Sequence, residues 1–265
     1  MTSNHPFSFI GVLMSVFLLA AGCVAIAGSQ LLLYLHNTIG VPSNMYSEGY
    51  CSGNTSGFGK VFANPTSTIW SQMSLSYQPY SYSTLPEAIL IGYVGDLVEM
   101  HYWEAITQYN SWAFPSNLKN NVFNSYNINC SRGSYNESIV KSSLNNQMPV
   151  IVSGSNMAIP TDGDIHCFVI DGYRITRRKY TDIKYWVLDE VPPAGYIMPE
   201  DQVSVTYSTP DITSIKINWG WASQWGSNPL NDGWYALTGG WTVNNGTIYD
   251  YNYNLYMTYG FSVAN

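Results

Sequence analysis

Charge is what this sequence has least of. Only 10% of its 265 residues are Asp, Glu, Lys or Arg, against roughly a quarter in a typical soluble chain. No lysine or arginine precedes Lys60, no basic stripe follows, and the formal charge is −7. Nucleic acid is therefore not expected as a partner. The one basic cluster, "RITRRKY" at Arg174 to Tyr180, reads as a solvated hairpin tip. Cysteine is scarce as well: Cys23, Cys51, Cys130 and Cys167 are widely scattered. No pair has the close spacing of a zinc site and the density is far below that of a disulfide scaffold. Neither a metal nor another cofactor is expected, and a Cys51–Cys130 bridge stays open at this level.

The chain does have apolar residues, at 46%, and abundant Asn, Ser, Thr and Tyr, which suits strands and loops around a substantial core. Apolar residues surround the segment from Cys23 to about Asn37, with Ile39-Gly40-Val41-Pro42 as its stop. Such a helix belongs in the middle of a core. Pro42 to Thr84 reads as long loops with short helical turns. A second helix is expected from Leu85 or Pro86 to about Met100, and two shorter ones capped near Ser116 and Asn136. After Gln147 the pattern changes. "MPVIVSG", "HCFVIDG", "IKYWVLD", "SIKINWGW", "DGWYAL" and "YNLYMTYGFSV" are short, β-branched and aromatic, separated by Gly, Pro, Asp and Asn. Helices come first and sheet second, so the class is α+β, with residues 1–147 mainly helix and loop and 148–265 mainly antiparallel sheet. A cleft is expected between the halves.

The apolar run Phe7 to Ala27 resembles a signal peptide or membrane span, and "AAGC" resembles the site where bacterial lipoproteins are cleaved and acylated. Three features oppose an anchor there. The positive n-region is missing, Ala20 rather than an aliphatic residue stands three before the cysteine, and a packed helix follows where a polar tether is usual. Membrane association is expected only if this segment is an anchor.

A thiol attacks as thiolate, and a helix N-terminus favours that charge. Cys23 sits where a helix can begin, after Gly22, which allows a tight turn. About 140 residues downstream, in the interval of the papain-like order, "GDIHCFVIDGY" puts His166 at the mouth of a strand, where it can act as general base. Alternation sends His166 and Cys167 to opposite faces, so Cys167 is assigned to the core, and Asp171 is read as a turn residue before Gly172. "KINWGWASQWG" offers Asn218 as an amide for the ring nitrogen, with Trp219 and Trp221 as apolar shields. A packed strand and turn would use the same residues. His36 and His101 read as helical core or surface histidines, and His5 is terminal.

The blocks "AAGCVAIAGSQLLLYLHNTIGVP", "HCFVIDGY" and "INWGWASQWGSNPLNDGWYAL" resemble the streptopain family of bacterial cysteine peptidases. "IGYVGDLVEMHY" and "NQMPVIVSGS" agree loosely. The resemblance runs from about Gly22 to the C-terminus. It implies a papain-like fold, with an N-terminal helical lobe and a C-terminal antiparallel β lobe in one catalytic domain over 1–265. It implies a cysteine endopeptidase acting on proteins or peptides, secreted or at the cell surface. Carried over residue by residue, Cys23 is the nucleophile and His166 its base, flanked by Asn218, Trp219 and Trp221, with the residue orienting the ring left open. Ser111, in "YNSWAFP", lies near the family's substrate-contacting serine. Ile165 stands where the family has glycine, which would narrow the site, and Cys167 replaces an alanine. The family's glutamine before the nucleophile has no counterpart, the first being Gln30, and no propeptide is seen. A late start, a substitute such as Ser15, or a slow enzyme would each account for this. Tyr173 to Ser214 reads as a charged, hairpin-like insertion overhanging the cleft. The alternative is a weak or inactive surface or binding protein on the same fold, lipid-anchored through Cys23 or gripping ligands with its 22 Tyr and 9 Trp.

Overall fold

The computed structural model describes residues 22–41, 65–73, 86–101, 111–159, 165–177, 179–183, 194, 204–208, 211–220, 232–244 and 248–264. Helix α1 (Cys23–Ile39) starts at Gly22 and stops at Gly40, whose left-handed conformation (φ 71°) closes the helix. Its residues Leu31, Leu32, Leu33 and Leu35 are fully buried, each contributing about 1.5–3 kcal/mol relative to exposure. Helix α2 (Ser67–Gln72) is a short turn capped by Thr66, and α3 (Pro86–Leu97) packs beside α1. The helix expected from a cap at Ser116 instead has Ser116 as its first residue and is π-helical over Leu118–Phe123. Gly28 of α1 lets Leu118 of this segment approach, for a Cβ there would lie 2.4 Å from Leu118 Cδ2. Helix α4 (Glu137–Asn145) is capped as expected, Asn136 accepting from the Ser138 and Ile139 amides.

Six antiparallel strands form the main sheet: β1 (Ile128–Ser134), β2 (Val150–Ser155), β3 (Ile165–Thr176), β6 (Ile212–Asn218), β7 (Gly233–Ala236) and β10 (Tyr253–Val263), in the order β1-β10-β2-β3-β6-β7. β1 is a finding the sequence pattern does not suggest. As an edge strand, "INCSRGS" buries only Ile128, so it shows no apolar alternation, and it carries the first half of the chain into the sheet. Period two divides the side chains cleanly. Ile151, Cys167 and Val169 face α1 and α3, whereas Val150, Val152, Phe168, Ile170 and Ile217 face α4 and the hairpin of β8 (Trp241–Asn244) and β9 (Ile248–Tyr251). Strands buried on both faces read as unbroken apolar runs.

Between β3 and β6, strands β4 (Lys179–Ile183) and β5 (Ser204–Ser208) pair with each other. Thr176 faces Ile212 and Lys179 faces Ser208, so the ribbon continues the β3–β6 ladder outward. The basic cluster is therefore the stem of this ribbon and not its tip. Arg174 lies over the Trp234 ring at 4.5 Å and Arg177 forms a bidentate pair with Asp211 at 2.9 Å. The strand expected from "IKYWVLD" and the overhang expected from the ribbon's far end lie almost wholly outside the described residues. So do the N-terminal segment before Gly22 with Ser15 and His5, most of Pro42 to Thr84 with Cys51, and Trp221.

Candidate active site

The backbone puts Cys23 at the first position of α1 by a device only glycine allows. Gly22 has φ 73°, and a Cβ on it would fall 2.6 Å from Met100 Sδ and 3.5 Å from Ser111 Cβ. Left-handed backbone and close approach both exclude a side chain there. Ser111 thus stands directly behind the turn that presents the cysteine. Cys23 is partly exposed and its Sγ–H donates to the Ile165 carbonyl at 3.9 Å. The sulfur also lies against the backbone amide of Cys167, with the Val24 and Cys23 amides at the helix start. It therefore touches the β3 backbone on both sides of His166.

His166, 7% exposed, is wedged among Phe168, Trp219 and Tyr251, whose ring centroids lie 5.6–6.1 Å away. Its Nε2–H donates to the Trp219 carbonyl at 2.8 Å. A carbonyl only accepts, so the neutral ring carries its proton on Nε2, and Nδ1 is the unprotonated nitrogen. Trp219 is itself fixed: its N–H donates to Asp232 Oδ1 at 2.8 Å and its side chain is fully buried. The chain then turns at Gly220 (φ 71°), where a Cβ would press Ile26 of α1 at 2.9 Å.

Electrostatics sharpen this picture. Burial pushes the Cys23 thiol up to about 11, against stabilising amides. Burial also pushes the His166 imidazole down to about 4, against the Trp219 carbonyl. In these surroundings both groups are neutral at neutral pH. Among the described residues no cluster of His, Cys, Asp and Glu is arranged to hold a metal ion.

A thiol at a helix start, held against the backbone on either side of a carbonyl-held histidine, has the parts of a cysteine hydrolase. The profile of the Peptidase C10 family matches residues 12–235. The chain belongs to that family. It is a cysteine endopeptidase of the streptopain type, and its substrates are proteins or peptides. The structure of active wild-type interpain A cysteine protease from Prevotella intermedia is similar at a TM-score of 0.55 and 20% identity, covering 94% of this chain and 88% of that one. A prointerpain A fragment from the same organism gives 0.51 at 20% identity, covering 91% and 64%. At such identity these likenesses establish the fold, which is papain-like. No curated protein matches the chain by sequence. Membership of the C10 family favours the peptidase over the inactive binding protein.

Within this C10 peptidase, the Cys23 sulfur meets the Ile165 carbonyl, His166 meets the Trp219 carbonyl, and Ser111 lies behind Gly22. Asn218 does not take the place expected of its amide. Its Oδ1 accepts from Gln30 Nε2 of α1 at 3.3 Å and from the Gly220 amide at 2.9 Å. The cause is alternation. Asn218 pairs with Val169, on the α1 face, whereas His166 and Phe168 share the face of Trp219. The position beside Nε2 falls to the Trp219 carbonyl, so Trp219 is more than a shield. Asp171 is not a turn residue. It lies buried within β3, 3.5 Å from Lys216 Nζ, where the register slips between Ile170 and Gly172. Cys167 is buried, as assigned. His101 is not helical but follows α3, bridged to Trp112 and stacked on it at 4.0 Å. His36 sits on α1, its Nδ1–H donating to the Val41 carbonyl at 2.6 Å. Asp232 was invisible as a site residue. Its only sequence signal is an Asp-Gly before an aromatic strand, which reads as a turn.

Proposed function

We propose that Cys23 is the nucleophile of this endopeptidase and His166 its general base and acid. The observation that carries the proposal is the Cys23 sulfur bonded to the carbonyl next to His166, whose Nε2–H is tied to Trp219. With Nε2 engaged, Nδ1 takes the thiol proton as Sγ bonds to the scissile carbonyl carbon. The carbonyl oxygen becomes an oxyanion, received in part by the Cys23 backbone N–H at the helix start. Its collapse breaks the C–N bond, and the proton on Nδ1 passes to the leaving amine. A water molecule, deprotonated by the same nitrogen, then cleaves the thioester and restores the thiol.

Ser111 and Ile165 are proposed as substrate contacts, because Ile165 adjoins the sulfur through its carbonyl and Ser111 lies behind the Gly22 turn that presents it. Trp221 is proposed with them on the family resemblance. With this reading go a single catalytic domain and a secreted or cell-surface location. Among the described residues no helix is long and apolar enough to cross a membrane.

The test is alkylation of the full chain with an epoxide. The expected result is one adduct, on Cys23, with loss of proteolysis, and no activity in Cys23→Ala or His166→Ala. Modification confined to Cys130 or Cys167, or proteolysis surviving Cys23→Ala, overturns the assignment. A diacylglyceryl group found on Cys23 by mass spectrometry would do the same, since an acylated sulfur cannot attack.

A further inference from the structure

We infer that Asp232 is a positioning residue for His166, acting through the Trp219 backbone; the inference rests on the Cys23–His166 reading above. Strand β6 ends at Asn218, and the β6–β7 ladder ends where Ile217 faces Gly233. One step further, the Trp219 N–H lies beyond that ladder. It donates to the Asp232 carboxylate at 2.8 Å. A side-chain acceptor there frees the chain to leave the ladder and turn at Gly220, which aims the Trp219 carbonyl at Nε2 of His166, also at 2.8 Å. Two hydrogen bonds in series therefore connect a carboxylate to the imidazole. The first fixes the segment, and the second fixes the ring and its tautomer.

The environment of the carboxylate makes this linkage sensitive to acid. Burial pushes Asp232 up to about 6, against the Trp219 amide and Lys216. Among the described residues, the charged and titratable groups that face it are Lys216 of β6, Asp171 of β3 and Tyr235 of β7. Above pH 6 the amide donates to a charged oxygen, and below it to a neutral carboxyl, a weaker acceptor. Asp232→Asn keeps an acceptor oxygen at the same place without the charge, and Asp232→Ala removes it.

The experiment measures kcat and KM of the full chain between pH 5 and 8 for wild type, D232N, D232A and D171N. Each preparation is normalised by epoxide titration of its reactive thiol. Wild type is expected to lose activity several-fold through an inflection near pH 6. D232N should lack that inflection and turn over several-fold more slowly at pH 7.5, with KM unchanged within about twofold. D232A should lose about ten- to a hundredfold in kcat. D171N should keep the inflection, which separates Asp232 from its neighbour. D232A turning over like wild type per titrated thiol, an inflection that survives in D232N, or none near 6 in wild type overturns the inference. Should D232A not fold, D232N decides alone. Failure of the underlying reading looks different, as proteolysis that survives Cys23→Ala.

Discussion

His166 is held by Trp219 through the backbone, its Nε2–H meeting the tryptophan carbonyl at 2.8 Å while the two rings stack 5.8 Å apart. The residue beside it, Asn218, reaches to the opposite face of the sheet and joins Gln30 of α1. One strand end thus serves both halves of the molecule, holding the imidazole with one residue and the helix that carries Cys23 with the next.

Asn218→Ala should therefore act on stability before chemistry. It removes the acceptor of two hydrogen bonds at a buried position, which costs about 1–3 kcal/mol. Urea unfolding is expected to show that loss, with kcat per titrated thiol falling less than tenfold. A fall like that of His166→Ala, with unchanged stability, would return the ring-orienting role to the amide.

Gly22→Ala should damage stability and activity together. The alanine would need φ 73° and would put its Cβ 2.6 Å from Met100 Sδ. A left-handed non-glycine residue costs about 1–2 kcal/mol, and the clash adds to it. Met100→Ala in the same chain relieves the clash but not the backbone strain, so the double variant should recover activity only in part. Wild-type turnover in Gly22→Ala would mean that the turn does not position Cys23.

Removing the imidazole should silence the sulfur at neutral pH. Burial holds the thiol up at about 11 even against the nearby amides, and His166→Ala removes the proposed acceptor of its proton. Iodoacetamide should then modify Cys23 at pH 7 more than tenfold more slowly than in wild type, with the rate still climbing above pH 10. Equal rates at pH 7 would show that His166 does not share the thiol proton.

Asp171→Asn should stabilise the fold in base and not in acid. Burial pushes this carboxyl up to about 7, against Lys216. A folded-state pKa above the unfolded one means that the native chain binds the extra proton. Its contribution to stability is full below about 4 and is lost as pH rises through 7. The variant should gain on the order of 1–3 kcal/mol at pH 8, shrinking towards nothing at pH 4, by urea unfolding. A loss at pH 8 would mean that the Lys216 pair outweighs the burial.

Much of the architecture is legible along the chain. Two glycines bracket an apolar stretch with no charge on any side, and α1 occupies it, from Cys23 to Ile39. Asn136 announces α4, and the β-branched runs after Gln147 become β2, β3, β6, β7 and β10. What escapes has a physical cause in each case. β1 is an edge strand whose partner, β10, lies at the far end of the chain, so its hydrogen bonds stabilise it without an apolar signature. The π-helical turns over Leu118–Phe123 have the apolar spacing of an ordinary helix. The arginine cluster is polar wherever it sits, whether at the tip of a ribbon or along its stem.

The order of residues alone determined which groups could do chemistry here: a thiol after a glycine at a helix start, an imidazole at a strand mouth, and a tryptophan-glycine turn to flank it. Those are properties of side chains and of local backbone freedom, and they are written one residue at a time. The tertiary structure decided which atoms meet. A carbonyl oxygen and an amide hydrogen occur at nearly every position and leave no mark in the sequence, so only strand register and the period-two alternation could assign Trp219 to His166, Asn218 to Gln30 and Asp232 to the Trp219 amide.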